Sequence, residues 1–317
     1  MKTIGITEGA VFCALAVVLT LIRYYLPILG LLVLIIPVTM IILGKRQGLK
    51  VSIISSLAAV VLLSLFIGPI NAVLLGAPMF VVGCSLGYAY NKDSSPVVKV
   101  VIGALAFSVL VVAEIMSYQL LLGISFTDYL FQTLEASNKE VLMIYETMNV
   151  MSSETLEAAK ASMEDYVWFL KLILPLALIL TPVILSFLNV KVADLILKRI
   201  GYPVKTFKAL GQWELPESLK VFLMIFLFSD FVISIFQITA IPQIYRFTLT
   251  GVVNIIFFVM GLALILNYME FKQVTNKSLK VLVVMFSFLI ASVITIVGVA
   301  DTYIGIRRIF RRESQIK

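Results

Sequence analysis

The 317-residue sequence contains no histidine and only two cysteines. Without histidine, imidazole metal ligands, Ser–His catalysis and histidine proton relays are excluded. Cys13 and Cys84 both fall in apolar runs, where a cysteine is typically a small buried residue rather than half of a disulfide. Gly44-Lys45 lacks the glycine that a nucleotide-binding loop carries five residues earlier. We therefore predict no catalytic residues, no metal site, no cofactor and no enzymatic activity.

Charge is also scarce, at 14% of residues, whereas 61% are hydrophobic. This composition is typical of membrane proteins. Apolar runs long enough to cross a bilayer as helices predict an all-α, polytopic transmembrane helix bundle of about eight or nine spans. The runs cover 6–22, 28–43, 49–67, 70–90, 97–123, 166–189, 219–240, 246–268 and 279–304.

The net charge of +7 does not indicate nucleic-acid binding, because the basic residues lie in short loops between the runs. Four such loops, 45–50, 92–99, 191–220 and 272–280, share one side if the N-terminus is cytoplasmic. We therefore predict a multi-pass protein of the cell membrane with a cytoplasmic N-terminus. Nine crossings would place Arg307, Arg308, Arg311 and Arg312 outside. Either one run does not cross or the tail is an exception to the rule, and we favour the exception.

Three regions follow from this pattern: a five-span bundle at 1–123, an extracytoplasmic acidic insert at 124–165, and C-terminal spans at 166–317 with a basic cytoplasmic loop at 190–219. The insert contains eight acidic and two basic residues, a net charge of −6. Ser125-x-x-Asp128 indicates a helix start. Apolar residues at helical spacing then predict a pair of amphipathic helices: Val141, Ile144, Tyr145, Met148 and Met151. The insert is either a simple connection or a lid over an outward cavity.

Charged residues inside apolar runs are candidates for function. Glu114 is followed by Tyr118 on the same helical face, and Asp230 by Ser234 and Gln237. Each acid either binds a ligand or holds helices together through hydrogen bonds.

Helix breaks at Gly68-Pro69 and Gly76-x-Pro78 can expose backbone groups to a cavity. The predicted ligand-binding set comprises Tyr24, Tyr25, Asn71, Glu114, Tyr118 and Asp230.

Ala10 and Ala14 stand one helical turn apart in the first run. Small residues at this spacing allow close helix approach. The stripe either packs inside the protein or docks a partner subunit.

Several motifs carry a resemblance to a known family. They are Thr7-Glu8-Gly9-Ala10, Tyr25-Leu26-Pro27-Ile28-Leu29-Gly30, Pro37, Gly44-Lys45-Arg46-x-Gly48, Trp213-x-Leu215-Pro216, and Asp301-Thr302 followed by Arg307. Together they resemble the YybS-like membrane proteins of unknown function.

The first six spans are more distantly similar to the S components of energy-coupling-factor vitamin transporters, and to MreD-like scaffold proteins. The transporter resemblance implies that Ala10 and Ala14 dock on the transport partner; the last three spans have no counterpart in an S component.

The leading prediction is a small-molecule binding or transport subunit with an outer pocket under the insert. Its partners would be the lipid bilayer and a separate ATPase or coupling protein. The alternative is a non-transporting scaffold that binds cell-envelope proteins. An intramembrane enzyme built on Glu114 and Asp230 ranks third. Fold analogy alone does not decide between them.

Overall fold

The computed structural model describes residues 3–148, 153–237 and 241–307. These ranges contain helices and no strand, which confirms the all-α prediction. Met151, Arg308, Arg311 and Arg312 lie outside the described residues. The α-helices are α1 Thr3–Tyr25, α2 Ile36–Gln47, α3 Leu49–Ile67, α4 Pro69–Pro78, α5 Cys84–Asn91, α6 Pro96–Leu122, α7 Phe126–Thr147, α8 Ser153–Arg199, α9 Glu217–Ile235, α10 Gln243–Phe271, α11 Lys277–Leu289 and α12 Ala291–Ile304.

Eight helical segments of the described chain are long and apolar enough to cross a membrane, and a bent pair, α11 with α12, brings the number to nine at most. A 3-10 segment, Pro27–Leu34, precedes α2. A π-helical turn, Met79–Gly83, joins α4 to α5. The turn follows Pro78, which has no N–H to give to a regular helical ladder. The predicted break at Gly68 is also present, since α3 ends at Ile67 and Gly68 has a φ of 76°.

The described residues divide into two compact units. The first comprises 3–171 and 177–206, and the second comprises 172–176 and 207–307. The boundary near 206 follows the sixth apolar run. The three-region scheme of the sequence concerns the sides of the membrane and stays a prediction.

Helix α2 is the centre of the first unit. Its residues Ile36–Gly44 are all buried, so this stretch is surrounded by other parts of the protein and does not face lipid. Gly44 faces Gly87 of α5 so closely that a Cβ on Gly44 would lie 2.7 Å from the Gly87 Cα. Gly83 packs on Met40 in the same way. The glycine pair at 83 and 87 therefore serves helix packing.

Ion pairs hold two of the basic loops together at one end of the first unit. The Arg46 guanidinium contacts Glu8 at 2.6 Å, and Lys45 contacts Asp93 at 2.5 Å. The hydrogen bond from Lys45 holds the pKa of the Asp93 carboxyl below its ordinary value. These contacts place the N-terminal helix and two basic loops together. The cytoplasmic location of this end stays a prediction.

In the second unit, α11 runs beside α10 and α12 then crosses it. Lys280 lies 3.8 Å from Glu270, and the ring of Phe288 lies 5.1 Å from that of Phe258. A bend of 104° follows. α12 then meets α10 at a close crossing of Gly298 with Gly261.

The chain that follows α12 lies beside α10 at the level of this crossing, since Arg307 donates a hydrogen bond to the Met260 carbonyl. At 1.5 Å per residue, α11 and α12 are each about 20 Å long, which is shorter than the bilayer core. This geometry favours a re-entrant pair, because Arg307 also contacts Gly211 of the basic loop. The side of the membrane on which the tail lies stays a prediction.

Candidate functional site

Helix α7 and the first part of α8 form the hairpin that the sequence predicts in the acidic insert. The Ser125 side chain accepts a hydrogen bond of 3.0 Å from the Asp128 N–H and starts α7. Two ion pairs connect the helices: Lys160 to Glu146 at 3.1 Å and Lys171 to Glu135 at 3.9 Å. The Lys171 ammonium also lies 5.1 Å from the ring centre of the buried Phe131. The two helices are therefore connected by paired charges and by one contact between an ammonium and an aromatic ring.

A groove of about 570 Å³ lies between these two helices. We name it the hairpin groove. It combines an apolar surface with three ammonium groups, two carboxylates and one amide. The lining residues are Glu135, Asn138, Lys139, Leu142, Lys160, Met163, Glu164, Val167, Trp168 and Lys171. Val167 is buried, whereas the Trp168 side chain is half exposed and forms an open wall.

None of the six predicted ligand-binding residues lines the hairpin groove. Tyr24 and Tyr25 contact each other edge-on at 5.1 Å and are exposed. The Asn71 amide donates to the carbonyl of Ile67, the last residue of α3. The Glu114 side chain is exposed on α6. The described residues thus show no common pocket for these four side chains.

Of the six residues, Tyr118 contacts α7 and supports the base of the hairpin. Its ring contacts Phe126 at 5.2 Å and Tyr129 at 5.0 Å, both on α7. It therefore packs α6 against α7 rather than lining the groove.

Asp230 belongs to the second unit and forms an ion pair with Arg246. Its carboxylate accepts a hydrogen bond of 2.8 Å from the Arg246 Nε, and Arg246 also donates to the Ser234 hydroxyl. The predicted polar stripe of α9 thus meets a cation at the start of α10. This arrangement matches the alternative in which Asp230 holds helices together.

Ala10 and Ala14 both lie on the exposed face of α1. The small residues of α1 that pack internally are on the other face, where a Cβ on Gly9 would lie 2.7 Å from the Ser55 hydroxyl of α3. The structure therefore excludes the alternative in which Ala10 and Ala14 pack inside the protein. Docking of a partner on this face stays a prediction.

A buried polar cluster of the first unit was not predicted. Lys99, only 1% exposed, donates to the Lys205 carbonyl at 2.8 Å and lies 3.4 Å from Asp194. The Tyr90 hydroxyl donates to the same Asp194 oxygen at 2.6 Å. Lys198 stands one helical turn from Asp194 but donates to Thr206. One signal pointed to this cluster: Asp194 is the only acid between residues 190 and 213.

A second buried cluster occupies the second unit. Asp301 and Arg307 form a pair at 2.6 Å, and Arg307 donates further to the carbonyls of Gly211 and Trp213. A cavity of about 270 Å³ lies beside it, lined also by Glu214, Glu217 and Lys220. Asp301, near the end of its apolar run, is buried against Arg307.

Asp301 and Arg307 use up most of their own hydrogen-bonding groups on each other and on carbonyls. They are therefore suited to fixing the loop and helix ends rather than to holding a ligand. Among the described residues, no group of three or more histidine, cysteine or acidic side chains could hold a metal ion.

The helices, their apolar surfaces and the membrane-length spans define a multi-pass helical membrane protein. The chain belongs to the family described as "Predicted membrane protein (DUF2232)", whose model matches residues 14–302. It is similar to the "Uncharacterized protein YybS" of Bacillus subtilis (strain 168), with 27% identity over 315 residues, 96% of this chain and 98% of that protein. The YybS-like resemblance is thereby confirmed. No solved structure matches the chain.

Proposed function

We propose that this protein is a membrane-embedded subunit that binds a small molecule in the hairpin groove. The single observation that carries the proposal is the groove itself, an open volume of about 570 Å³ between α7 and α8. Pockets for small molecules typically measure about 300–1,000 Å³ and combine apolar walls with a few polar groups. A simple connection between two spans needs no such volume.

The position of the groove on α8 supports a role in which ligand binding at one end of this long helix affects its other end. α8 continues without interruption from Ser153 to Arg199. At 1.5 Å per residue its 47 residues extend about 70 Å. Groove residues from Lys160 to Lys171 and the buried Asp194 therefore share one helix. A ligand that changes the tilt of α8 at the groove also acts on its far end.

Energised uptake would need a second protein, because the sequence has no nucleotide-binding loop. We propose that a separate ATPase or coupling subunit supplies the energy and that the exposed Ala10–Ala14 face of α1 is where it docks. The same exposed face supports the scaffold alternative, in which the docked proteins belong to the cell envelope.

Mass spectrometry of the protein purified from native membranes tests the proposal. We expect a small molecule to co-purify with the wild type and to be lost in Trp168→Ala, which removes an open wall of the groove. Tyr166→Ala is the matched control, because Tyr166 is an exposed aromatic residue of the same helix that does not line the groove.

Equal retention in both variants would show that the molecule binds elsewhere. Recovery of cell-envelope proteins with no retained molecule would instead support the scaffold.

A further inference from the structure

We infer that the ligand of the hairpin groove is a small organic anion with an apolar body; this inference rests on the proposed function. It starts from an unequal distribution of charge. The segment 124–165 contains eight acids and two lysines. Both lysines, Lys139 and Lys160, line the groove, whereas only two of the eight acids, Glu135 and Glu164, do so. Within the segment the lining therefore has a net charge of 0, whereas the whole segment has −6. A third ammonium comes from Lys171, beyond the segment, and brings the lining to +1.

The six remaining acids lie outside the groove lining. A helix is about 10 Å across with its side chains, and the screening length at physiological ionic strength is about 8 Å. Acids on the outer surfaces of the hairpin that pair with no lining residue therefore act weakly inside it. A ligand in the groove experiences chiefly the three ammonium groups and two carboxylates of the lining, together with Glu146, which neutralises Lys160.

Lys139 is the group best placed to bind the anion. Lys160 and Lys171 already pair with Glu146 and Glu135. Lys139 has no ion-pair partner among residues 3–148, 153–237 and 241–307. An ammonium without a carboxylate partner gains most from an incoming anion. Leu142, Met163, Val167 and Trp168 supply the contacts for an apolar body.

Three matched probes test the charge of the ligand: 3-phenylpropanoate, 3-phenylpropanamide and 3-phenylpropylammonium, which share one apolar body and differ in charge. The measurements use the Trp213→Phe variant, reconstituted in lipid discs of phosphatidylcholine. Because the chain has two tryptophans, Trp168 is then the only one, and its fluorescence reports binding in the groove. We expect the anion to bind at least tenfold more tightly than the cation, with the amide between them.

Substitutions test whether the preference for the anionic probe arises in the groove. Lys139→Gln should weaken binding of the anion at least fivefold and leave the amide unchanged. Glu164→Gln should strengthen binding of the anion, because it removes a carboxylate from the lining. Glu157→Gln removes an exposed acid outside the lining, and it should change neither probe.

Each contrary result has a distinct meaning. Equal binding of the three probes, or tightest binding of the cation, overturns the anion assignment and leaves the proposed site standing. No change in Trp168 emission with any probe overturns the site itself. Loss of amide binding in discs of phosphatidylglycerol would show that an anionic lipid headgroup occupies the groove, which overturns the assignment to a soluble molecule.

Discussion

The guanidinium of Arg307 donates a hydrogen bond of 2.6 Å to the backbone carbonyl of Trp213. It also pairs with Asp301 and donates to the carbonyls of Gly211 and Met260. Two sequence motifs that lie almost ninety residues apart, one at 213–216 and one at 301–307, therefore meet around a single side chain. Arg307 is the connection between the basic loop before α9 and the end of α12.

Removal of this connection should destabilise the second unit. Arg307→Gln leaves Asp301 and at least one carbonyl without a partner, and breaking one side of a buried pair typically costs about 3–5 kcal/mol. The thermal unfolding of the detergent-solubilised protein should therefore move to clearly lower temperature. Lys280→Gln is the control, because its pair with Glu270 is partly exposed and 3.8 Å long, which is worth at most about 1 kcal/mol. Equal midpoints for the two variants would contradict the assignment of Arg307 as a structural connection.

The side of the C-terminus follows from the same contact. If α11 and α12 form a re-entrant pair, the C-terminus lies on the side of the 272–280 loop. Single cysteines at Glu146, Lys92, Ser278 and Lys317, in a protein with Cys13→Ala and Cys84→Ala, report the side through an impermeant maleimide. In intact cells we expect labelling at position 146 alone.

The remaining three positions should react only after permeabilisation. Labelling at position 317 from outside would mean that α11 and α12 cross as a ninth span. Labelling at position 92 from outside would reverse the predicted topology of the first unit.

The helices were predictable from the sequence because an apolar run in lipid has few alternatives to a helix. The runs at 49–67 and 97–123 match α3 and α6 to within a residue or two. The structure adds that a single helix, α8, continues from the insert through residue 165 into the sixth run.

The polar contacts were less predictable than the helices. Lys99 and Asp194 are 95 residues apart, and nothing in the sequence says that α6 lies beside α8 at that level. Helical spacing alone would pair Asp194 with Lys198, four residues away, which bonds Thr206 instead. The hairpin groove could not be predicted for the same reason. Lys139 and Lys160 stand on different helices, and only the packing of α7 on α8 brings them to one lining.

The two faces of α1 give a matched pair of substitutions. Gly9→Leu introduces a side chain where a Cβ already meets Ser55 and Val51, and overpacking of this kind typically costs about 1–3 kcal/mol. Ala14→Leu adds the same bulk on the exposed face and should leave the melting temperature of the isolated protein unchanged. If the Ala10–Ala14 face docks a partner, Ala14→Leu should still abolish its recovery from native membranes. Undiminished recovery would show that this face contacts lipid.

The pair formed by Asp230 and Arg246 allows the role of Asp230 to be decided by reversal of the charges. A single charge at a helix centre in lipid costs about 2.5–3.5 kcal/mol on insertion scales. Asp230→Arg places two cations together on α9 and α10 and should lower the level of folded protein in the membrane, as should Arg246→Asp.

The double variant restores one charge of each sign at a similar distance. If the pair only holds the helices together, the double variant should recover most of the folded protein and most of the cellular activity. Both quantities are measured in the same cells, the first by fluorescence-detected size exclusion and the second by complementation of a deletion strain. Recovery of folded protein without activity would instead mean that the carboxylate of Asp230 itself acts on α9, as a ligand for a cation or a proton. Asp230→Asn separates the two roles further, because it keeps the hydrogen bond to Arg246 and removes the charge.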